Sequence, residues 1–162
     1  MHLDARRIAW LVGIVGSTLV LDQWTKWLVH TRFRVGESLG LLEGFFSLTY
    51  IRNQGAAFGI FQNTNPAFRD KFFLAVPVIA IAVITYLYFK TPRDQKVQTV
   101  ALALVLSGAI GNLIDRLRFG YVIDFLDVHY HEVYHWPAFN VADSCIVVGV
   151  LVLFLLSLRS NT

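Results

Sequence analysis

The sequence predicts a mainly α membrane protein, with four transmembrane helices and a small extracytoplasmic β platform and loop. Three observations carry this reading. Hydrophobic residues make up 56% of the 162 and charged residues only 15%, against about 25% charged in an average soluble domain. Mean hydropathy is +0.55. Four segments reach or approach the roughly 20 apolar residues that a helix needs to cross a bilayer.

The spans read as residues 8–28, 72–89, 97–114 and 139–158. The first follows Arg6 and Arg7, as the apolar stretch of a signal peptide would. No small-residue cleavage site comes after it and further spans do, so it is expected to stay in the protein. The second holds no charged residue, and Pro77 predicts a bend near its start, which membrane helices tolerate. The chain, 1–162, suits a single integral membrane domain. Its net charge of +3 comes from scattered basic residues. That argues against a nucleic-acid partner and for cations facing membrane lipids. The one cysteine, Cys145, excludes an internal disulfide framework and reads as a small buried side chain.

Between the spans, Phe46 to Arg52 alternates in a β-branched and aromatic background and reads as a strand. Tyr121 to Tyr130 reads likewise. Asn53-Gln54-Gly55 is a turn signal. Asn65-Pro66 predicts a helix cap followed by proline at the first helical position.

Parity sorts the polar residues. With four spans, both ends of the chain lie on one side of the membrane. The end of the first span, the start of the second, the end of the third and the start of the fourth lie on the other, which also carries two long connections, roughly 31–71 and 117–137. Asp22 and Lys26 close the first span, Asn112, Asp115 and Arg116 the third, and Asn140 and Asp143 open the fourth. All fall on this working face, whichever way the chain is inserted. Ionisable residues in membrane helices are costly and point to function. A count of Lys and Arg does not settle orientation, although the cations in the short connector 90–96 favour the cytoplasm for that side.

Chemistry narrows the set. Gly108, Gly111, Asn112 and Asp115 share one helix face, and Ser107 with Gly111 forms a small-xxx-small pair. Asn140, Asp143 and Ser144 share a face of the fourth span. Asn112 and Asn140 fit helix–helix glue as well as they fit a functional role. Asp22 and Lys26, spaced i,i+4, suit a structural ion pair, and Arg116 suits neutralisation of a carboxylate from elsewhere. Asp124 and Asp143 differ: each has apolar neighbours and neither has a cation close by in sequence. Two carboxylates in an apolar site share a proton. The ionised one takes a proton from water while the protonated one polarises a peptide carbonyl, which is aspartic peptidase chemistry. Asp127 is a spare candidate, but strand geometry turns it to the opposite face from Asp124.

Two rivals remain. His131-Glu132-Val133-Tyr134-His135 matches the H-E-x-x-H zinc signature, which needs a helix to align its histidines. The segment lies in an aromatic, β-rich loop next to Trp136-Pro137, with His129 nearby and no third ligand evident. No metal site is therefore expected. Intramembrane aspartates also serve proton-coupled transporters, but the repeated halves common among transporters are not evident.

Five blocks together resemble one family: D-Q-W-T-K (Asp22 to Lys26), N-Q-G-A-A-F (Asn53 to Phe58), G-A-I-G-N-L-I-D-R (Gly108 to Arg116), V-I-D-F (Val122 to Phe125) and F-N-V-A-D (Phe139 to Asp143). In this order on a four-span chain they resemble the lipoprotein signal peptidases, or signal peptidase II. H-E-x-x-H is no part of that pattern.

The resemblance implies a bacterial inner-membrane aspartic endopeptidase with no cofactor. It would remove the signal peptide from prolipoproteins, cleaving before a cysteine that already carries diacylglycerol, and globomycin-type inhibitors would block it. Asp124 and Asp143 would be the catalytic pair. Asp22, Asn53, Asn112, Arg116 and Asn140 would support the substrate or the pair, while Lys26 and Asp115 would be structural. The working face would be periplasmic and the termini cytoplasmic. The protein is expected to be a monomer. The 31–71 connection would clamp the lipid-modified residue, with Phe58 among the lining aromatics.

Overall fold

The computed structural model describes residues 5–55, 65–131 and 133–160. In chain order the elements are α1 (Ala5–Arg32), β1 (Ser38–Leu42), β2 (Phe46–Asn53), α2 (Pro66–Lys90), α3 (Lys96–Phe119), β3 (Val122–Tyr130), β4 (Tyr134–His135) and α4 (Val141–Ser160). All four helices are long and apolar enough to cross a membrane. The fold is thus the four-span, mainly α architecture with a small antiparallel sheet that the composition predicts. Phe58 and Glu132 lie outside the described residues.

α3 is the centre of the bundle. It packs against α1, α2 and α4, and 56% of its most apolar stretch is buried, against 6% in α1, 6% in α2 and 11% in α4. The other three turn most of their apolar surface outward, which suits lipid and not water. The order is up-and-down, as parity requires. At one end, Arg7 of α1 donates to the backbone oxygens of Tyr88 and Thr91 at the end of α2. At the other, Lys26 of α1 meets Asp115 late in α3, and Asp22 accepts a hydrogen bond from the first turn of α4.

The helix boundaries differ from the predicted spans by one to six residues, and two of the differences have a local cause. α2 begins at Pro66, with the Asn65 carbonyl accepting from the Phe68 and Arg69 amides. The cap signal was therefore the true start, and Pro77 sits in the helix interior, well beyond the first turns. α4 begins at Val141, because Asn140 serves as its cap instead of continuing the helix.

The sheet runs β1-β2-β3-β4, all pairs antiparallel. β2 and β3 match the two predicted strands. β1 and the two-residue β4 were not predicted as strands: β1 is only five residues long, with Gly40 at its centre and a register shift after it. Three features aim the sheet at the helix ends. Gly120 closes α3 in the left-handed region, at φ 77°, and its amide returns to the Arg116 carbonyl at 3.0 Å. Glycine tolerates this conformation without a Cβ penalty, and the chain doubles back into β3 within two residues. Val29 of α1 then packs with Tyr50, Ile123 and Phe125 beneath the sheet. Finally, Phe139 pairs with Leu126 just before α4: its carbonyl accepts from the Phe125 and Leu126 amides at 3.0 and 2.8 Å. That pairing sets Asn140 beside β3.

α3 and α4 meet with almost no side chain between them. A Cβ at Gly108 would fall 2.2 Å from the Ala142 carbonyl oxygen, and one at Gly149 would fall 2.6 Å from that of Ala101. Gly108 is therefore the contact glycine toward α4. Ser107, of the small-residue pair read from sequence, faces α1 and hydrogen-bonds the Thr18 hydroxyl, and Gly111 lies against Asp22 of the same helix. By contrast, a Cβ at Gly16 would meet nothing within 4 Å. Gly108→Ala is expected to lose about 1–3 kcal/mol through overpacking, whereas Gly16→Ala should be neutral or stabilise by up to about 1 kcal/mol. Thermal unfolding of both variants in detergent checks this.

Candidate active site

The polar residues of the working face form one connected network, anchored by a buried ammonium. Lys26 is 1% exposed. Its Nζ lies 3.0 Å from Asp22 Oδ2, 3.0 Å from Asp115 Oδ2 and 3.0 Å from Asn112 Oδ1. The i,i+4 pair with Asp22 is the one the spacing predicted, and Asp115 joins it from α3. An ammonium has three protons to donate, and three oxygens surround this one.

The carboxylates also tie in other elements. Asp22 Oδ1 accepts the Ala142 amide at 2.9 Å. It therefore satisfies one of the free N–H groups at the start of α4, where a negative charge is also favoured by the helix dipole. Asp115 Oδ2 accepts the Ile123 amide at 3.1 Å and so fixes the start of β3. Gln23 joins the set: its Nε2 donates to Asp22 Oδ2 at 3.1 Å and Asp115 Oδ1 at 3.0 Å. The sequence reading quoted Gln23 within a motif but gave it no role, since nothing local signals a bond to residues 92 positions away. Among the described residues, every buried side-chain nitrogen and oxygen has a hydrogen-bond partner.

Above this base lie Asp124 and Asp143, linked through Asn140. Asn140 is 0% exposed. Its Nδ2 donates to Asp124 Oδ1 at 2.7 Å, and its backbone amide donates to Asp143 Oδ2 at 3.2 Å. Its Oδ1 in turn accepts the Asp143 amide at 2.9 Å. The last two bonds are a reciprocal capping box at the start of α4. The signal was present as N-x-x-D before an apolar run, though it was read only as a shared face. Each aspartate has a further amide donor: Asn53 Nδ2 to Asp124 Oδ2 at 2.9 Å, and Asn112 Nδ2 to Asp143 Oδ1 at 2.7 Å. Asn112 thus connects the buried Lys26 to Asp143.

Asp124 is 1% exposed, and Asp143 is half-buried. Burial, reinforced by the charge of Asp143, pushes the Asp124 carboxyl up to about 7. Asp127 faces away, as strand geometry predicted, accepting from Thr49 Oγ1 at 2.8 Å and pairing with His135 Nδ1 at 3.0 Å. Arg116 forms no ion pair within 4 Å among the described residues. Its Nη1 reaches the Asn112 carbonyl at 3.4 Å and its guanidinium lies 5.7 Å from the Phe73 ring centroid.

The H-E-x-x-H segment lacks the helix its signature requires. His131 stands in a turn at φ 48° and His135 is in β4. His135 stacks on His129 with centroids 4.9 Å apart, and His129 also contacts Ser47. These side chains are occupied as packing and hydrogen-bonding groups of the sheet.

Fold and site together define an integral membrane protein that closes one end of a four-helix bundle over buried carboxylates. A family model described as signal peptidase (SPase) II matches residues 14–159, and the chain belongs to that family, which makes it a membrane peptidase. It is 51% identical over 138 residues to the lipoprotein signal peptidase of Syntrophus aciditrophicus, covering 85% of each chain. It is 49% identical over 148 residues to that of Geobacter metallireducens, covering 91% of this chain and 90% of the relative. A solved bacterial membrane enzyme superposes with a TM-score of 0.84 at 31% identity, over 96% of this chain and 91% of the other.

Two outcomes are expected. Lys26→Met leaves Asp22 and Asp115 buried without their cation and should cost about 3–5 kcal/mol, read by thermal or denaturant unfolding in micelles. For Asp124, the folded protein keeps its proton up to about pH 7, whereas the unfolded chain releases it near the ordinary value of 3.8. Stability from this group is therefore complete at low pH and lost as pH rises through about 7. The melting temperature should fall from pH 5 to pH 8 by less in Asp124→Asn than in the parent protein.

Proposed function

We propose that the protein is a bacterial inner-membrane aspartic endopeptidase that removes the signal peptide from diacylglyceryl-modified prolipoproteins by cleaving before the lipidated cysteine. Asp124 and Asp143 are the catalytic pair. The observation that carries this reading is the bridge through Asn140, which ties two carboxylates from β3 and α4 into one hydrogen-bonded unit at the bundle end.

The two sites favour different protonation states. Asp143 sits in the first turn of α4, where the helix dipole and two N–H donors stabilise its negative charge. Asp124 holds a proton up to about pH 7. In the first step Asp143 takes a proton from water, whose oxygen attacks the scissile carbonyl carbon. Asp124 gives its proton to the carbonyl oxygen. In the second step the tetrahedral carbon reforms its C=O and the C–N bond breaks. The departing amine nitrogen receives the proton from Asp143, and Asp124 recovers its own from the hydroxyl. The pair returns to its starting state with one water consumed.

Asn53, Asn112 and Asn140 hold the two carboxylates in register. Lys26, Asp22 and Asp115 keep the three helices and β3 at fixed spacing beneath them. Arg116 supports the bound substrate. The substrate's apolar signal helix and lipid anchor both partition into the bilayer, so lateral diffusion delivers the cleaved bond to the bundle end. The working face is periplasmic and the termini cytoplasmic. Arg6, Arg7, Arg93 and Lys96 at the opposite end support that orientation.

The test is cleavage of a diacylglyceryl-modified prolipoprotein by purified protein in detergent, without an ion gradient. Asp124→Asn and Asp143→Asn should each reduce turnover by at least about a hundredfold while melting as folded proteins, and globomycin should block the parent enzyme. Activity that disappears with EDTA would favour the zinc reading. Normal turnover by either folded Asn variant overturns the assignment.

A further inference from the structure

At the end of the bundle opposite the carboxylates lies a cavity of about 550 Å³ between the start of α1, the end of α2 and the start of α3. This volume lies within the range of small-molecule sites. Among the described residues, four cations line it, Arg6, Arg7, Arg93 and Lys96, and no acidic residue does. Its inner wall is apolar, formed by Trp10 and Ile14 of α1 with the start of α3 facing them.

The cavity has two chemically different levels. Arg7 and Ile14 are seven residues apart on one helix, so about 10 Å separates the basic level from the apolar one. α1 and α3 both read as membrane spans, which puts the basic level at the headgroup boundary and the apolar level in hydrocarbon. Trp10, 69% exposed, lies between them, as tryptophan does at membrane interfaces. Arg7 is held in place by its bonds to the Tyr88 and Thr91 carbonyls and lies 5.0 Å from the Tyr88 ring centroid. Part of the basic level is thereby preorganised.

We infer that this cavity is a binding site for an anionic phospholipid, with the phosphate headgroup among Arg6, Arg7, Arg93 and Lys96 and an acyl chain along Trp10 and Ile14. Charge alone would suit a soluble phosphate. The apolar lower wall adds a requirement that only a ligand with a hydrocarbon portion satisfies. The site is separate from the peptidase chemistry and does not depend on which residues perform it.

The experiment is native mass spectrometry of the detergent-solubilised protein with phosphatidylglycerol, phosphatidylcholine of the same acyl chains, or inorganic phosphate. Phosphatidylglycerol should be retained preferentially and phosphate not at all. The double variant Arg6→Gln/Lys96→Gln spares the anchored Arg7, and should weaken phosphatidylglycerol retention by about fivefold for each cation removed. Its phosphatidylcholine retention should stay unchanged, and it should still unfold cooperatively on heating. Equal retention of the two lipids overturns the proposal, as does full preference in the double variant. Retention of inorganic phosphate as firm as that of the lipid also overturns it, and would leave a simple anion site.

Discussion

A single buried ammonium organises the working end of this protein. Lys26 reaches oxygens on α1 and α3, and the carboxylates it neutralises each also accept a backbone amide, Asp22 from α4 and Asp115 from β3. Removing two carboxylates from water is costly unless a cation and enough donors accompany them. Once that condition is met, the bonding pattern allows little choice in how four elements are arranged. The ion cluster is thus better understood as a device for position than as a source of net stability.

Asn140 extends the same logic one layer up. A residue capping a helix normally satisfies free amides with its side-chain oxygen. Asn140 does so for Asp143, and its amide nitrogen remains available for Asp124. The carboxamide can serve both because it carries an acceptor and two donors. An aspartate at this position would cap the helix equally well, yet it would set a third carboxylate against Asp124. Nearby, close contact between α3 and α4 through Gly108 and Gly149 limits how far the α4 start can shift relative to Asn112.

Much of this was legible in the sequence, for identifiable reasons. The four spans follow from the cost of placing backbone and charge in hydrocarbon, which forces long uncharged runs. Parity alone put Asp22, Lys26, Asn112, Asp115, Asn140 and Asp143 on one face, and they do meet there. The opposed directions of Asp124 and Asp127 follow from strand geometry. The misses are equally specific. β1 is five residues long, with a glycine at its centre and a register shift after it, too short a run to stand out as a strand. The bonds from Asp22 to Ala142 and from Gln23 to Asp115 join residues roughly a hundred positions apart, and no local pattern encodes them.

The bond between Asp22 and the Ala142 amide bears on biosynthesis. During translation α1 leaves the ribosome long before α4. Until α4 arrives, Asp22 has no amide to accept and α4's first turn has no external cap. The polar network at this end of the bundle is therefore completed only when the later helix inserts beside the earlier one. A nascent chain stalled before that moment would hold the α1 half of the network without the amide that completes it.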